Sequence, residues 1–163
     1  MKAQVWSMDF LMSAFIFLTA FSLVVFAWNY TSLRVSQQNE VGPAENTLIM
    51  VSDALVRTPG IPESWDSDTV TSIGLSSREN VLNRTKVDMF INMSYEYTKT
   101  LLGLEKYHFY FRLKDMNGYV MQNTYGQNLT AGTYPQDSEL VVPIQRHVLY
   151  NGDMAKLDFM LWV

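Results

Sequence analysis

The sequence has no cysteine, which excludes disulfides and thiolate metal sites and leaves the redox compartment open. Its only histidines, His108 and His147, lie in strand-like patterns without a companion at ligand spacing, so both read as ordinary strand residues. Charge is sparse as well. Charged residues make up 17% of the chain, the net charge is -4, and no basic stripe runs along any segment. Nucleic acid is therefore not an expected partner. There is no glycine-rich phosphate loop and no His-Glu-x-x-His motif, so no catalytic residue, cofactor or metal is expected and the enzyme class is set aside. Glu63, Asp66 and Asp68 cluster in "PESWDSD", which reads as a solvated acidic loop in preference to a calcium site.

What charge exists is unevenly placed. Only Lys2 and Asp9 precede Arg34, and no charged residue lies between Phe10 and Leu33. Phe10 to Trp28 is nineteen residues broken only by Ser13, Thr19 and Ser22. At about 1.5 Å per residue this is about 28 Å of helix, enough to cross a hydrocarbon core of about 30 Å. The run is apolar on all sides, unlike a soluble core helix. Trp28 and Tyr30 end it, as aromatic rings do at an interface. A cleaved secretory signal has a shorter apolar core and a small-residue cleavage site, and "FAWNYTSL" supplies neither. Lys2 favours a cytoplasmic N-terminus. Four N-x-S/T sequons, at Asn29, Asn83, Asn92 and Asn128, are glycosylation candidates and point the C-terminal part outward.

The head "MKAQVWSMDFLMSAFIFL" resembles the N-terminus of archaeal type IV pilins and pilin-like proteins, with Lys2, Ala3, Gln4, Ser7 and Asp9 matching their class III signal in order. The family usually has Gly before the cut and Glu as the fifth mature residue; here Ala3 and Asp9, the sixth, stand there. The "TPGIPESW" turn followed by "IGL", and the ending "RHVLYNGDMAKLDFMLWV", also look like this family. The resemblance implies cleavage between Ala3 and Gln4 by a prepilin peptidase. It also implies a helix held in membrane lipid before assembly and then packed among identical or related pilin subunits in an extracellular filament. Asp9 would pair there with a neighbour's N-terminal ammonium, since a buried charge is tolerated only when paired. From the residues alone, an interfacial acid wetted by headgroups is an equal reading of Asp9. A stationary single-pass membrane protein with an extracytoplasmic partner- or envelope-binding domain is the alternative function.

The expected architecture is α+β: a long N-terminal transmembrane or filament-core helix, then a small domain of helix and antiparallel sheet. Residues 1–9 form the basic signal-like head, 10–30 the membrane helix, 31–43 a stalk or linker, and 44–163 the extracytoplasmic domain. Gly42-Pro43 reads as a break, with Pro43 in a first helical turn. Ala44, Leu48, Val51 and Leu55 then form one apolar stripe, stopped by "TPGIP". Ser76 to Glu79 predicts a capping box and a short helix through Leu82. A longer helix is predicted from about Lys86 to Leu102, closed by Gly103 and covering the sheet. Tyr107, Phe109, Phe111 and Leu113 alternate as a strand toward the Asn117-Gly118 turn. Asn151-Gly152 joins two further strands, with Ala155, Leu157, Phe159 and Leu161 facing one way. Pro143 predicts an edge position or a bulge. Asp115, Asp153 and Asp158 read as residues of turns and an exposed face. Two hairpins in one sheet of about four strands are expected.

Overall fold

The structure, a computed structural model, describes the backbone of residues 3–136, 138 and 140–163, and the side chains of 8–31, 41–136, 138 and 140–163. The protein is α+β, with an apolar N-terminal helix and a sheet-containing C-terminal part. The chain divides into two compact units, Met1–Glu40 and Val41–Val163, and helix α1 (Ala3–Arg57) contributes to both.

In the second unit the predicted stripe is the inner face of α1. Ala44, Leu48, Val51 and Leu55 are all buried and belong to one core with the sheet. The expected break at Gly42-Pro43 is absent, because Pro43 lies inside the helix. Proline's fixed φ is helical, and its cost is one missing backbone bond and a clash with the preceding turn. Here a stripe of buried apolar residues follows directly and holds the helical turn. The helix ends at Arg57, where both Thr58 N and Thr58 Oγ1 donate to the Ala54 carbonyl, at 3.1 and 2.8 Å.

The segment that follows is a closed loop. Strands β1 (Gly60–Ile61) and β2 (Ser72–Ile73) pair antiparallel. Trp65, 1% exposed, joins the two sides: its Nε1 donates to the carbonyls of Pro59 and Gly74, each at 3.0 Å. Gly74 is required because a Cβ there would strike Gly60 N and the Thr58 carbonyl.

Two predicted helices are corrected. Residues 76–82 form a β-hairpin of β3 (Ser76–Arg78) and β4 (Val81–Leu82), turned at Asn80 with φ 60°. Their N–H groups serve distant carbonyls: Ser76 N donates to Thr58 O and Asn80 N to Val56 O. A capping box has no competing claim once those bonds are made. The long helix from Lys86 is two helices, α2 (Arg84–Asn92) and α3 (Tyr95–Leu101), separated by an extended Met93. The cap of α2 is Asn83, whose side chain accepts from Lys86 N. The break lets Phe90 and Tyr95 both meet the Phe109 ring, at 6.5 and 5.2 Å between centroids. On one straight helix, residues five apart point roughly 140° away from each other.

The sheet has six strands in the order β3-β4-β7-β8-β5-β6, completed by β5 (His108–Lys114), β6 (Thr130–Gly132), β7 (Val141–Tyr150) and β8 (Asp153–Trp162). The short strands β3 and β4, added beside β7, account for the excess over four. The β7–β8 hairpin turns at Asn151-Gly152, both at positive φ, as the sequence predicts. After β5 the chain turns at Asn117-Gly118 but returns through isolated bridges, Lys114 with Val120 and Gln122 with Asn128, before β6. Pro143 is on the edge side of β7, where only Leu149 pairs with β4 among the described residues. The inner face carries Phe109, Phe111, Leu113, Ala155, Leu157, Phe159 and Leu161, all buried. Its cover is shared by α1, α2 and Tyr95 of α3. Arg146 fastens α1 to β7, donating to Asp53 Oδ1 at 2.6 Å and to Ser52 Oγ at 3.2 Å.

Asp158 corrects another expectation. It lies on the opposite face from the core, yet it is 5% exposed. Arg112 Nε, Lys114 Nζ and Gln145 Nε2 reach its carboxylate at 2.9, 2.6 and 2.7 Å. Burial alone would push its pKa up; the hydrogen bonds from Gln145, Lys114 and Arg112 outweigh this and hold it below the usual carboxylate value. A lowered folded-state pKa means the cluster stabilises the fold above the unfolded pKa and loses that contribution as pH falls through the folded one. Asp158→Ala is expected to cost roughly 2–4 kcal/mol, toward the low side for a buried pair because Arg112 and Lys114 keep some access to water. Urea unfolding of the full chain in detergent measures this. The gap between variant and wild type should close as pH is lowered below the carboxylate range.

Candidate functional site

The strongest functional feature is the segment Met8–Thr31 of α1. It is twenty-four residues long, its most apolar eighteen-residue stretch has a mean hydropathy of 2.4, and no part of it is buried within the molecule. One helix is thus apolar enough, and long enough, to span a membrane. Phe10, Phe26 and Trp28 are 71%, 70% and 76% exposed, so the apolar surface is presented on every side. Two of the segment's polar side chains bond back to the helix. Thr19 Oγ1 donates to the Phe15 carbonyl at 2.8 Å, and Asn29 Nδ2 to the Val25 carbonyl at 3.1 Å. Such back-bonding satisfies a polar group where water is absent.

Asp9 is the only charged residue of this segment, and it forms no ion pair among the described residues. At about 100° per residue, Asp9, Ser13, Ala20 and Ala27 fall within a strip about 40° wide. Small side chains along one strip let a second helix approach closely in an apolar medium. The strip was not read from the sequence, although its seven-residue spacing is visible there. Ala3 and Gln4, the processing candidates, begin α1; their side chains, and Lys2, lie outside the described residues.

His108 Nδ1 is 2.8 Å from Tyr95 Oη, and its ring stacks on Trp162 at 4.3 Å. His147 is exposed opposite Lys156. Among the described residues, no three His, Cys, Asp or Glu side chains come together at metal-binding range. Asp66 braces its own loop: Oδ1 accepts from Asp68 N, Thr69 N and Thr69 Oγ1, at 3.0, 2.9 and 2.8 Å. These bonds, led by that from the Thr69 hydroxyl, lower its pKa. Two open clefts flank α2. One of about 660 Å³ is lined by Arg84, Asp88, Asn92 and Tyr125, and one of about 570 Å³ contains Lys86. Lys86 carried no signal of site chemistry in the sequence beyond its place in a first helical turn.

The four sequons occupy different settings. Asn29 lies inside the apolar segment. Asn83 is half-buried and its Oδ1 is held in the α2 cap. Asn92 is exposed, but its Nδ2 donates to the Asp88 carbonyl at 2.7 Å and its Oδ1 accepts from Gln127 at 3.2 Å. Asn128 is exposed, and only its Oδ1 is engaged, by Gln122 at 3.0 Å. Its Nδ2, the atom that a glycan would occupy, has no partner among the described residues. In a host that glycosylates exported sequons, Asn128 should show the highest occupancy, and Asn29 and Asn83 the lowest. Peptide mass spectrometry ranks them, and higher occupancy at Asn83 than at Asn128 would contradict this order. Comparison with family models, curated proteins and solved structures returns no match.

Proposed function

We propose that this protein is a structural subunit of a type IV pilus-like surface filament. One observation carries the reading: an apolar helical segment with none of its surface covered by its own chain, bearing a single carboxylate at its N-terminal end. Lipid covers that surface before assembly, and neighbouring copies of the helix cover it afterwards. The strip of Asp9, Ser13, Ala20 and Ala27 supports close helix packing on the same side as the acid. Peptidase cleavage between Ala3 and Gln4 exposes a new ammonium, and Asp9 of an adjacent subunit supplies its counter-charge. The second unit, carrying Asn83, Asn92 and Asn128, faces outward on the filament. A stationary single-pass protein with an extracytoplasmic binding domain uses the same exposed helix with lipid as its permanent cover.

The Asp9 series separates the two. Under the filament reading, Asp9→Ala and Asp9→Asn reduce sheared-filament yield severely while the membrane-fraction level and the fold of the second unit persist. Removing one partner of a buried pair costs about 3–5 kcal/mol, enough to block incorporation. Asp9→Glu retains most assembly because the charge is kept. N-terminal sequencing checks that each variant begins at Gln4, since the peptidase itself reads this region. Normal filaments from a processed Asp9→Ala chain would rule out the pairing. An intact Met1 and no filaments from wild type would favour the stationary protein.

A further inference from the structure

Lys86 is a charged side chain that the filament reading does not use. It is 7% exposed, and its Nζ donates to the Pro59 carbonyl at 2.6 Å. That carbonyl already accepts from Trp65 Nε1. No carboxylate lies within ion-pair distance of Lys86 among the described residues. An ammonium can donate three hydrogen bonds; one is assigned here. Burial lowers the Lys86 pKa, and the charge of Glu63 works against that shift. Glu63 is exposed at the same cleft.

The rest of the cleft is rich in donors. Ser64, Ser76 and Asn83 line its polar side, beside Ser77, whose Oγ donates to the Val81 carbonyl at 3.3 Å. Ser76 is 1% exposed and its Oγ has no partner. The Asn83 side-chain oxygen is committed to Lys86 N, which leaves the amide N–H groups as the available polarity of that residue. Met89 supplies an apolar wall. A buried cation without a counter-ion is costly, and a donor-lined cleft beside it is complementary to an anion. Glu63 limits the charge of that anion, because a dianion meets stronger repulsion at the rim.

We propose that this cleft binds a small monoanionic carboxylate, its oxygens received by the Lys86 ammonium and the hydroxyls beside it, with its carbon portion against Met89. Two sources supply that chemistry: a free small carboxylate, or a uronic acid unit of a surface polysaccharide. The proposal is independent of filament assembly and of Asp9.

The test uses the full chain in detergent at neutral pH. Thermal unfolding is followed by near-ultraviolet circular dichroism during titration with sodium acetate, sodium glucuronate, and sodium chloride at matched ionic strength. A saturable rise in Tm with acetate, with glucuronate or with both, and not with chloride, is expected. Response to both assigns the site to the carboxylate alone, and response to glucuronate only assigns it to the sugar-borne group. Lys86→Met should weaken the response about tenfold or more, the effect of losing a charge-assisted hydrogen bond. If that variant does not fold, Ser76→Ala replaces it; loss of an orphan hydroxyl leaves the fold intact and should weaken the carboxylate response alone. Glu63→Gln should tighten binding several-fold by removing the competing acid. No saturable carboxylate effect, or an unchanged effect in whichever of Lys86→Met and Ser76→Ala folds, overturns the proposal. So does a Glu63→Gln chain that is less stable and unresponsive, because Glu63 is then the counter-ion.

Discussion

The end of α1 organises the second unit. A helix leaves its last four carbonyls without intrahelical donors, and when those carbonyls are buried they must be met from elsewhere. Thr58 serves Ala54, Leu75 N serves Leu55 at 2.9 Å, and Asn80 N serves Val56 at 2.9 Å. Val56 and Leu55 are 1% and 0% exposed, so water is not available to replace these donors. The loop from Thr58 to Asn80 must therefore return to the helix end. Trp65 holds its waist through Pro59 and Gly74, and Asn80 continues outward, its carbonyl accepting from Leu149 N at 2.8 Å. The helix terminus, the closed loop and the sheet edge form one hydrogen-bonded sequence.

This constraint also explains which parts of the fold could be read in advance. The Ala44–Leu55 stripe, the alternation in β5 and β8 and the Asn151-Gly152 turn are local patterns, fixed by residue spacing and by the φ that those residues accept. The hairpin at 76–82 is different. Its local signals favour a helix, and its backbone donors are claimed by a helix end some twenty residues earlier. The break at Met93 is decided by Phe109, which receives Phe90 and Tyr95 together. Tertiary demand overrides propensity at both places.

The candidate sites divide the same way. The apolar segment, Asp9 and the sequons are legible because each is a contiguous stretch or a short motif. The ranking of the sequons is not legible, since it depends on Gln127 and Gln122 reaching Asn92 and Asn128 across turns. Lys86 and Asp158 were missed as special residues. One is buried by a loop that closes over it, and the other sits on the sheet face away from the core. Neither burial follows from periodicity.

Asp9 and Asp158 show what each architecture offers an acid. Asp158 sits mid-strand, and its register places Arg112 and Gln145 directly opposite on the two neighbouring strands. Sheet pairing thus brings donors from far along the sequence to one carboxylate, and its charge is retained at 5% exposure. An acid on a solitary helix has only the positions three and four residues away as side-chain neighbours. For Asp9 these are Val5, Trp6, Met12 and Ser13, none of which is cationic. The helix bonds of its own backbone leave nothing else to give. Among the described residues no cation of this chain reaches Asp9, and the positions beside it on the helix supply none. The exposed apolar segment and the acid at its end pose one requirement, a surrounding that covers the helix and answers the charge, which is what the proposed filament would supply.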